Sequence, residues 1–130
     1  MAWSLNSDRP IYTQILEKIQ TRIIAGIYKP GEKLPSVREL AAEASVNPNT
    51  MQKAFAELER SGLILTQRNS GRTVTEDTKM IEKIQTQMAL AQVKTFFNNM
   101  KELGYTEDKI LALVKQAIDG GNNDGTITTN

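Results

Sequence analysis

At 130 residues the chain has room for one ordinary domain, or for a small domain with a helical appendage. Its 39% hydrophobic and 24% charged residues exclude a chain disordered by composition, and it has no apolar run long enough to span a membrane. With no cysteine and no histidine it has no disulfide, no Cys–His nucleophile and no imidazole acid–base group, and zinc or copper would lack their usual ligands.

The net charge of +1 hides a modest asymmetry. Residues 1–75 carry ten Lys/Arg against seven Asp/Glu, and residues 76–130 carry six against eight. That bias alone does not point to nucleic acid. The opening Met1-Ala2-Trp3-Ser4-Leu5-Asn6 has neither a basic start nor an apolar core, so no secretory leader is expected and the cytoplasm is the expected compartment.

In chain order, Asp8-Arg9-Pro10 signals a first helix, with Asp8 near the N-cap and Pro10 in the first turn. Ile11, Ile15, Ile19, Ile23 and Ile27 recur every four residues, and Leu16 and Ile24 widen the stripe into a broad buried face. Gly26 and Lys29-Pro30-Gly31 end it. A second helix opens at Ser36, a good N-cap, with Glu39 placed to complete a capping box. Val37, Leu40, Ala41 and Ala44 form its apolar face.

After a short turn, Ser45-Val46-Asn47, a third helix starts at the cap-and-proline pair Asn47-Pro48. Met51, Phe55 and Leu58 line its inner side, and Gly62 suits its left-handed C-terminal position. Residues 63–67 and 72–75 are expected to pair as a hairpin across the turn Arg68-Asn69-Ser70-Gly71. A fourth helix is expected from about Asp77 to Leu103 and a fifth from Thr106, with Ile110, Leu113, Val114, Ala117 and Ile118 as its stripe. The glycine- and asparagine-rich end reads as a flexible tail over 121–130.

Helix, helix, tight turn, helix, hairpin is the order of a winged helix-turn-helix. In that architecture the third helix enters the major groove of DNA with its N-terminal residues nearest the base edges. The residue types suit those places. Arg38 opens the second helix with a rigid fork of donors for phosphate or guanine. Asn47, Asn49, Thr50, Gln52 and Lys53 crowd the start of the third, where amides can pair with adenine and the lysine adds charge. Arg68 and Arg72 flank the wing turn. Plainer readings stand beside these. Arg38 could pair with Glu39 or Glu43, Asn47 is a cap first, and Arg68 and Arg72 could be solvated charges.

The stretch from Pro30 to Ala41, PGEKLPSVRELA, resembles the signature of the GntR family of bacterial regulators. Val46–Phe55 and Glu57–Ile64 resemble its YtrA-type branch, and Pro10–Ile15 resembles the family's opening. The resemblance covers roughly residues 9–75, and the short two-helix remainder also fits that branch. It implies a mainly α fold, with an N-terminal winged helix-turn-helix over 1–75 and a two-helix dimerisation region over 76–120. It implies a homodimer on a pseudo-palindromic DNA operator; binding near a promoter would block polymerase, so repression is the default sign. It places DNA contacts at Ser36, Arg38, Asn47, Asn49, Thr50 and Gln52 and in the wing. Two positions depart from the pattern. Asn69 stands where the wing turn usually has glycine, and Thr73 replaces a usual bulky apolar residue, which implies a looser wing.

The apolar residues of the last two helices fit three roles: core within the chain, a dimer seam or a ligand pocket. Two helices make too small a core to need them all, so the seam is favoured, at Met80, Ile84, Met88, Phe96, Phe97, Met100, Leu113 and Ile118. Their spacing is not a strict heptad, so no coiled coil is expected. No cofactor is expected. An effector, if one exists, would be a small molecule of unknown identity. A winged helix that binds protein or RNA is the first rival reading, and an enzyme is the second. The polar, cation-bearing start of the third helix argues against the first. The lack of His, Cys and a glycine-rich phosphate loop argues against the second.

Overall fold

A computed structural model describes residues 3–68 and 71–124, with side chains described to Gly120. Its elements run α1 (Ile11–Ile24), α2 (Val37–Ala44), α3 (Pro48–Ser61), β1 (Ile64–Gln67), β2 (Gly71–Val74), α4 (Thr78–Glu102) and α5 (Glu107–Asp124). The chain forms two compact units, residues 1–86 and 87–130, divided within α4.

In the first unit α1, α2 and α3 enclose a core of Ile15, Ile19, Ile23, Leu40, Met51, Phe55 and Leu58, joined from the hairpin by Leu63, Ile64 and Val74. The every-fourth isoleucine pattern holds from Ile15 to Ile23, with Ile11 half-buried. It fails at Ile27, which is 61% exposed. The helix has already ended at Ile24, and Gly26 turns the chain away with φ +83. The helix start also differs from expectation. Pro10 occupies the N-cap in an extended conformation with no side-chain cap, and Asp8 does not cap the helix. The buried amide of Gln14 ties down the preceding segment instead. It accepts the Asn6 N–H at 3.0 Å and donates to the Asn6 and Arg9 carbonyls at 2.8 and 2.9 Å.

The expected capping box is present at α2. Ser36 Oγ accepts the Glu39 N–H at 3.0 Å and Glu39 Oε1 accepts the Ser36 N–H at 2.8 Å. Ser45 ends the helix in the left-handed region, φ 59, and the Val46 N–H returns to the Ala41 carbonyl. At α3, Asn47 Oδ1 accepts the Asn49 N–H at 2.7 Å, and Pro48 follows at the first helical position. Gly62 closes α3 with φ +87, and a Cβ there would lie 3.2 Å from the Met80 methyl.

The hairpin is antiparallel, with Ile64 opposite Val74, Leu65 opposite Thr73, Thr66 opposite Arg72 and Gln67 opposite Gly71. The segment before α2 pairs with its outer strand through a Lys33–Thr73 bridge and the bond from the Leu34 N–H to the Arg72 carbonyl. The Thr73 hydroxyl accepts the Gln67 side-chain amide at 3.1 Å, so polar pairing occupies the position where the looser wing was expected. Asn69 lies outside the described residues.

Ile81 and Ile84 pack against the core of the first unit, which is why this unit takes in the start of α4. In the second unit α4 turns at Gly104, φ +96, into α5. The α5 backbone runs on to Asp124, past residue 121 where the tail was expected to begin, and residues 125–130 lie outside the described residues. Ile110 is buried in this unit, whereas Leu90, Val93, Phe96, Leu103, Leu111, Val114 and Ile118 are exposed.

Candidate nucleic-acid interface

The start of α2, the start of α3 and the hairpin meet at one groove. Lys33, Ser36, Arg38, Gln52, Phe55 and Arg72 are among the residues lining it. Arg38 is exposed and makes no ion pair among the described residues. The two carboxylates that could have taken it are engaged elsewhere. Glu39 closes the capping box, and Glu43 Oε2 accepts Arg22 Nη2 at 2.7 Å and the Trp3 indole N–H at 2.7 Å. The guanidinium of Arg38 is therefore available to a ligand.

Those engagements set the charge state of both acids. The Ser36 backbone N–H, with its hydroxyl behind it, holds the Glu39 carboxyl below the usual carboxylate range. The Arg22 hydrogen bond, followed by that of Trp3, lowers Glu43 in the same way. Arg22 is raised chiefly by Glu43. Its guanidinium carbon lies 4.7 Å from the Trp3 ring centroid and 5.8 Å from that of Tyr28. This cluster joins the N-terminal segment, α1 and α2.

At α3, Asn47 serves as the cap, and Asn49 and Gln52 are exposed, their side chains without a hydrogen bond among the described residues. Thr50 is half-buried. Lys53 is exposed, and its ammonium lies 4.1 Å from the centroid of the Tyr12 ring. The first turn of α3 offers an anion its dipole rather than free donors, because Pro48 has no N–H and the Asn49 and Thr50 N–H groups are bonded to Asn47. On the wing, Arg68 is exposed at the end of β1.

Arg72 departs from the sequence reading. Its side chain is 24% exposed and turned onto α3, with Nε 3.5 Å from Glu59 Oε2 and the guanidinium carbon 5.1 Å from the Phe55 ring centroid. Hairpin register explains this. Arg72 faces Thr66 on the side of the ribbon that packs on α3, a direction the sequence does not mark. Sequence reasoning also missed Tyr12, Lys33 and Glu59. An aromatic at the start of α1 and a lysine before α2 carry no local signal of their own. Their relevance exists only once α1, α3 and the hairpin are packed together.

The expected seam residues divide. Ile84 packs on the first unit's core and Met80 meets Gly62 there. Met88, Phe97, Met100 and Leu113 are half-buried, and Phe96 and Ile118 are exposed. Among the described residues no helix is long and apolar enough to cross a membrane.

A helix-turn-helix whose polar recognition start lies beside a short hairpin defines the winged-helix class of transcription regulators. The profile described as "Bacterial regulatory proteins, gntR family" matches residues 11–74. The HTH-type transcriptional regulator YhcF of Bacillus subtilis (strain 168) is 37% identical over 115 residues, which are 88% of this chain and 95% of that protein. The HTH-type transcriptional repressor YtrA of the same organism is 40% identical over 112 residues, 85% of each chain. A GntR family transcriptional regulator from Listeria monocytogenes matches in structure with a TM-score of 0.80 and 43% identity, over 86% of this chain and 98% of that one. The AraR DNA-binding domain in complex with its operator ORX1 matches with a TM-score of 0.50 and 28% identity, over 58% of this chain and 93% of that one. The chain belongs to the GntR family, whose members are DNA-binding transcription regulators and not enzymes.

Proposed function

We propose that the chain is a repressor that binds a pseudo-palindromic operator as a homodimer. The observation that carries this is Arg38, without an ion pair among the described residues, lining one groove with the exposed Gln52 where the two helices that meet DNA in this architecture come together. Arg38 and Gln52 read bases. Ser36, Asn47, Thr50, Lys53 and Arg68 hold phosphates. Arg72 lines the same groove and acts chiefly through the wing that it holds on α3. The relative named a repressor, YtrA, and the AraR domain bound to its operator support both the sign of regulation and the ligand.

The second unit supplies the dimer seam. Leu90, Val93, Phe96, Leu111, Val114 and Ile118 are exposed on it, apolar surface that association would cover. With half-sites one helical turn apart, the two recognition helices would lie about 34–36 Å apart. A modest net charge makes the pairing necessary, since one head offers few phosphate contacts. The protein would act in the cytoplasm, on the nucleoid. A small effector that prefers one dimer geometry would release it.

The test is fluorescence anisotropy with duplex DNA from upstream of the protein's own gene and with a scrambled duplex, at two salt concentrations. Preference for the native duplex that survives the higher salt and vanishes in Arg38→Ala is the expected result. A folded dimer that binds neither duplex would instead favour a protein-binding winged helix.

A further inference from the structure

We propose that Glu59 is a positioning residue that latches the wing onto the recognition helix, and that Arg68 contributes to operator binding only while this latch is closed. The functional half of this rests on the operator reading above. Glu59 lies one helical turn beyond Phe55 on α3, so the two share a face. Thr66 and Arg72 are direct partners across the hairpin and therefore share a face of the ribbon. The two faces meet at one oxygen. The Thr66 hydroxyl donates to Glu59 Oε2, and Arg72 Nε lies 3.5 Å from the same atom. The guanidinium lies against the ring of the fully buried Phe55.

Three elements thus converge on a single carboxylate. Arg72 Nε is buried and lacks an aligned hydrogen bond among the described residues, so charge attraction and ring contact hold it rather than a tight bond. The pair is sheltered, with side chains 24% and 28% exposed, and is screened less than a surface ion pair. The same strand is fixed on its other edge, where the Arg72 carbonyl accepts the Leu34 N–H at 2.8 Å. Arg68 follows Thr66 by two residues, in the turn just after β1. A shift at the latch is carried directly to that exposed cation.

Two readouts test this on the full chain. Hydrogen exchange without DNA reads the latch itself. Glu59→Ala should speed exchange across Ile64–Gln67 and Gly71–Val74 and leave α1 and α2 protected. Operator binding reads the consequence. Arg68→Ala should weaken binding about fivefold in the native background and less than about twofold beside Glu59→Ala, as expected of coupled sites. Glu59→Gln, which keeps an acceptor for Thr66 and loses the charge facing Arg72, should fall between the two. Thr66→Val replaces Glu59→Ala if the latter fails to fold. Unchanged hairpin exchange, or an equal Arg68→Ala loss in both backgrounds, overturns the proposal. A loosened hairpin in a protein that binds no duplex overturns the operator reading instead and leaves the latch in place.

Discussion

The ammonium of Lys53 sits 4.1 Å from the centroid of the Tyr12 ring, which ties the recognition helix to the start of α1. A cation held on a ring face loses few of its own hydration contacts when exposed, so the contact is worth about 0.5–1 kcal/mol. Its effect is to hold a mobile side chain on one side of α3.

Lys53→Ala should therefore weaken binding to operator and scrambled duplex by the same factor. It should also lower the slope of log K against log salt by about 0.9, the signature of one phosphate contact. Tyr12→Leu keeps the apolar bulk and removes the ring face. It should reproduce part of that loss and add little to it in the double variant. Anisotropy titrations over a range of salt give all three results, and an unchanged slope in Lys53→Ala would remove Lys53 from the phosphate contacts.

Gln52 is exposed one turn further toward the wing than Asn49 and lines the groove with Arg38. An amide at that place can pair bidentately with adenine. Gln52→Ala should cost about 1–3 kcal/mol at one base pair of each half-site and leave the others unaffected. Binding to an operator library substituted one position at a time shows which. A uniform loss across positions would make Gln52 a phosphate contact.

Glu43 gives the fold a defined acid sensitivity. Its pKa is lowered in the folded state, first by Arg22 and then by Trp3. Its stabilising contribution is therefore present above the unfolded carboxyl value, about 4.3, and is lost as pH falls through the lower folded value. Because the Glu43 side chain is 41% exposed, solvent screening limits that contribution to about 1 kcal/mol at neutral pH. Glu43→Gln should lower the melting temperature by a few degrees at pH 7 and close the gap to the native chain below pH 4. Trp3 is the single tryptophan and donates to this carboxylate, so its fluorescence should titrate in that acid window. Persistence of the titration in Glu43→Gln would assign it to another group.

The elements that the sequence displays well are those decided within one turn of chain. Ser36 with Glu39, and Asn47 with Pro48, act on backbone groups three residues away or fewer, so local spacing suffices to place both helix starts. The isoleucine stripe is visible for the same reason and misleads at Ile27, where a glycine at positive φ ends the period before the composition changes. Arg38 and Asn49 could be nominated for the interface from helix position alone, and the fold leaves both exposed. The inward turn of Arg72 could not be read in this way, because it depends on which face of a short hairpin packs against α3. Likewise Met80 and Ile84 share a helix with the other residues expected at a seam, and only the packing of the first unit shows that these two are taken up by their own domain.

That division sharpens where the proposed dimer can be broken. Ile84 supports the fold of the first unit, so altering it would confound association with stability. Phe96, 43% exposed beside exposed Val93, and Ile118 on α5 are free of that difficulty. Phe96→Asp places a charge where a dimer would have to desolvate it without a partner. It should convert the protein to monomer at micromolar concentration in analytical ultracentrifugation, with the helical signal and melting of the winged unit retained. Operator affinity should fall with it, because each head then binds with few phosphate contacts and no linked partner. A Phe96→Asp protein that still sediments as a dimer would move the seam to the Leu111–Val114–Ile118 face of α5, and the corresponding Val114→Asp variant would then be the one to dissociate.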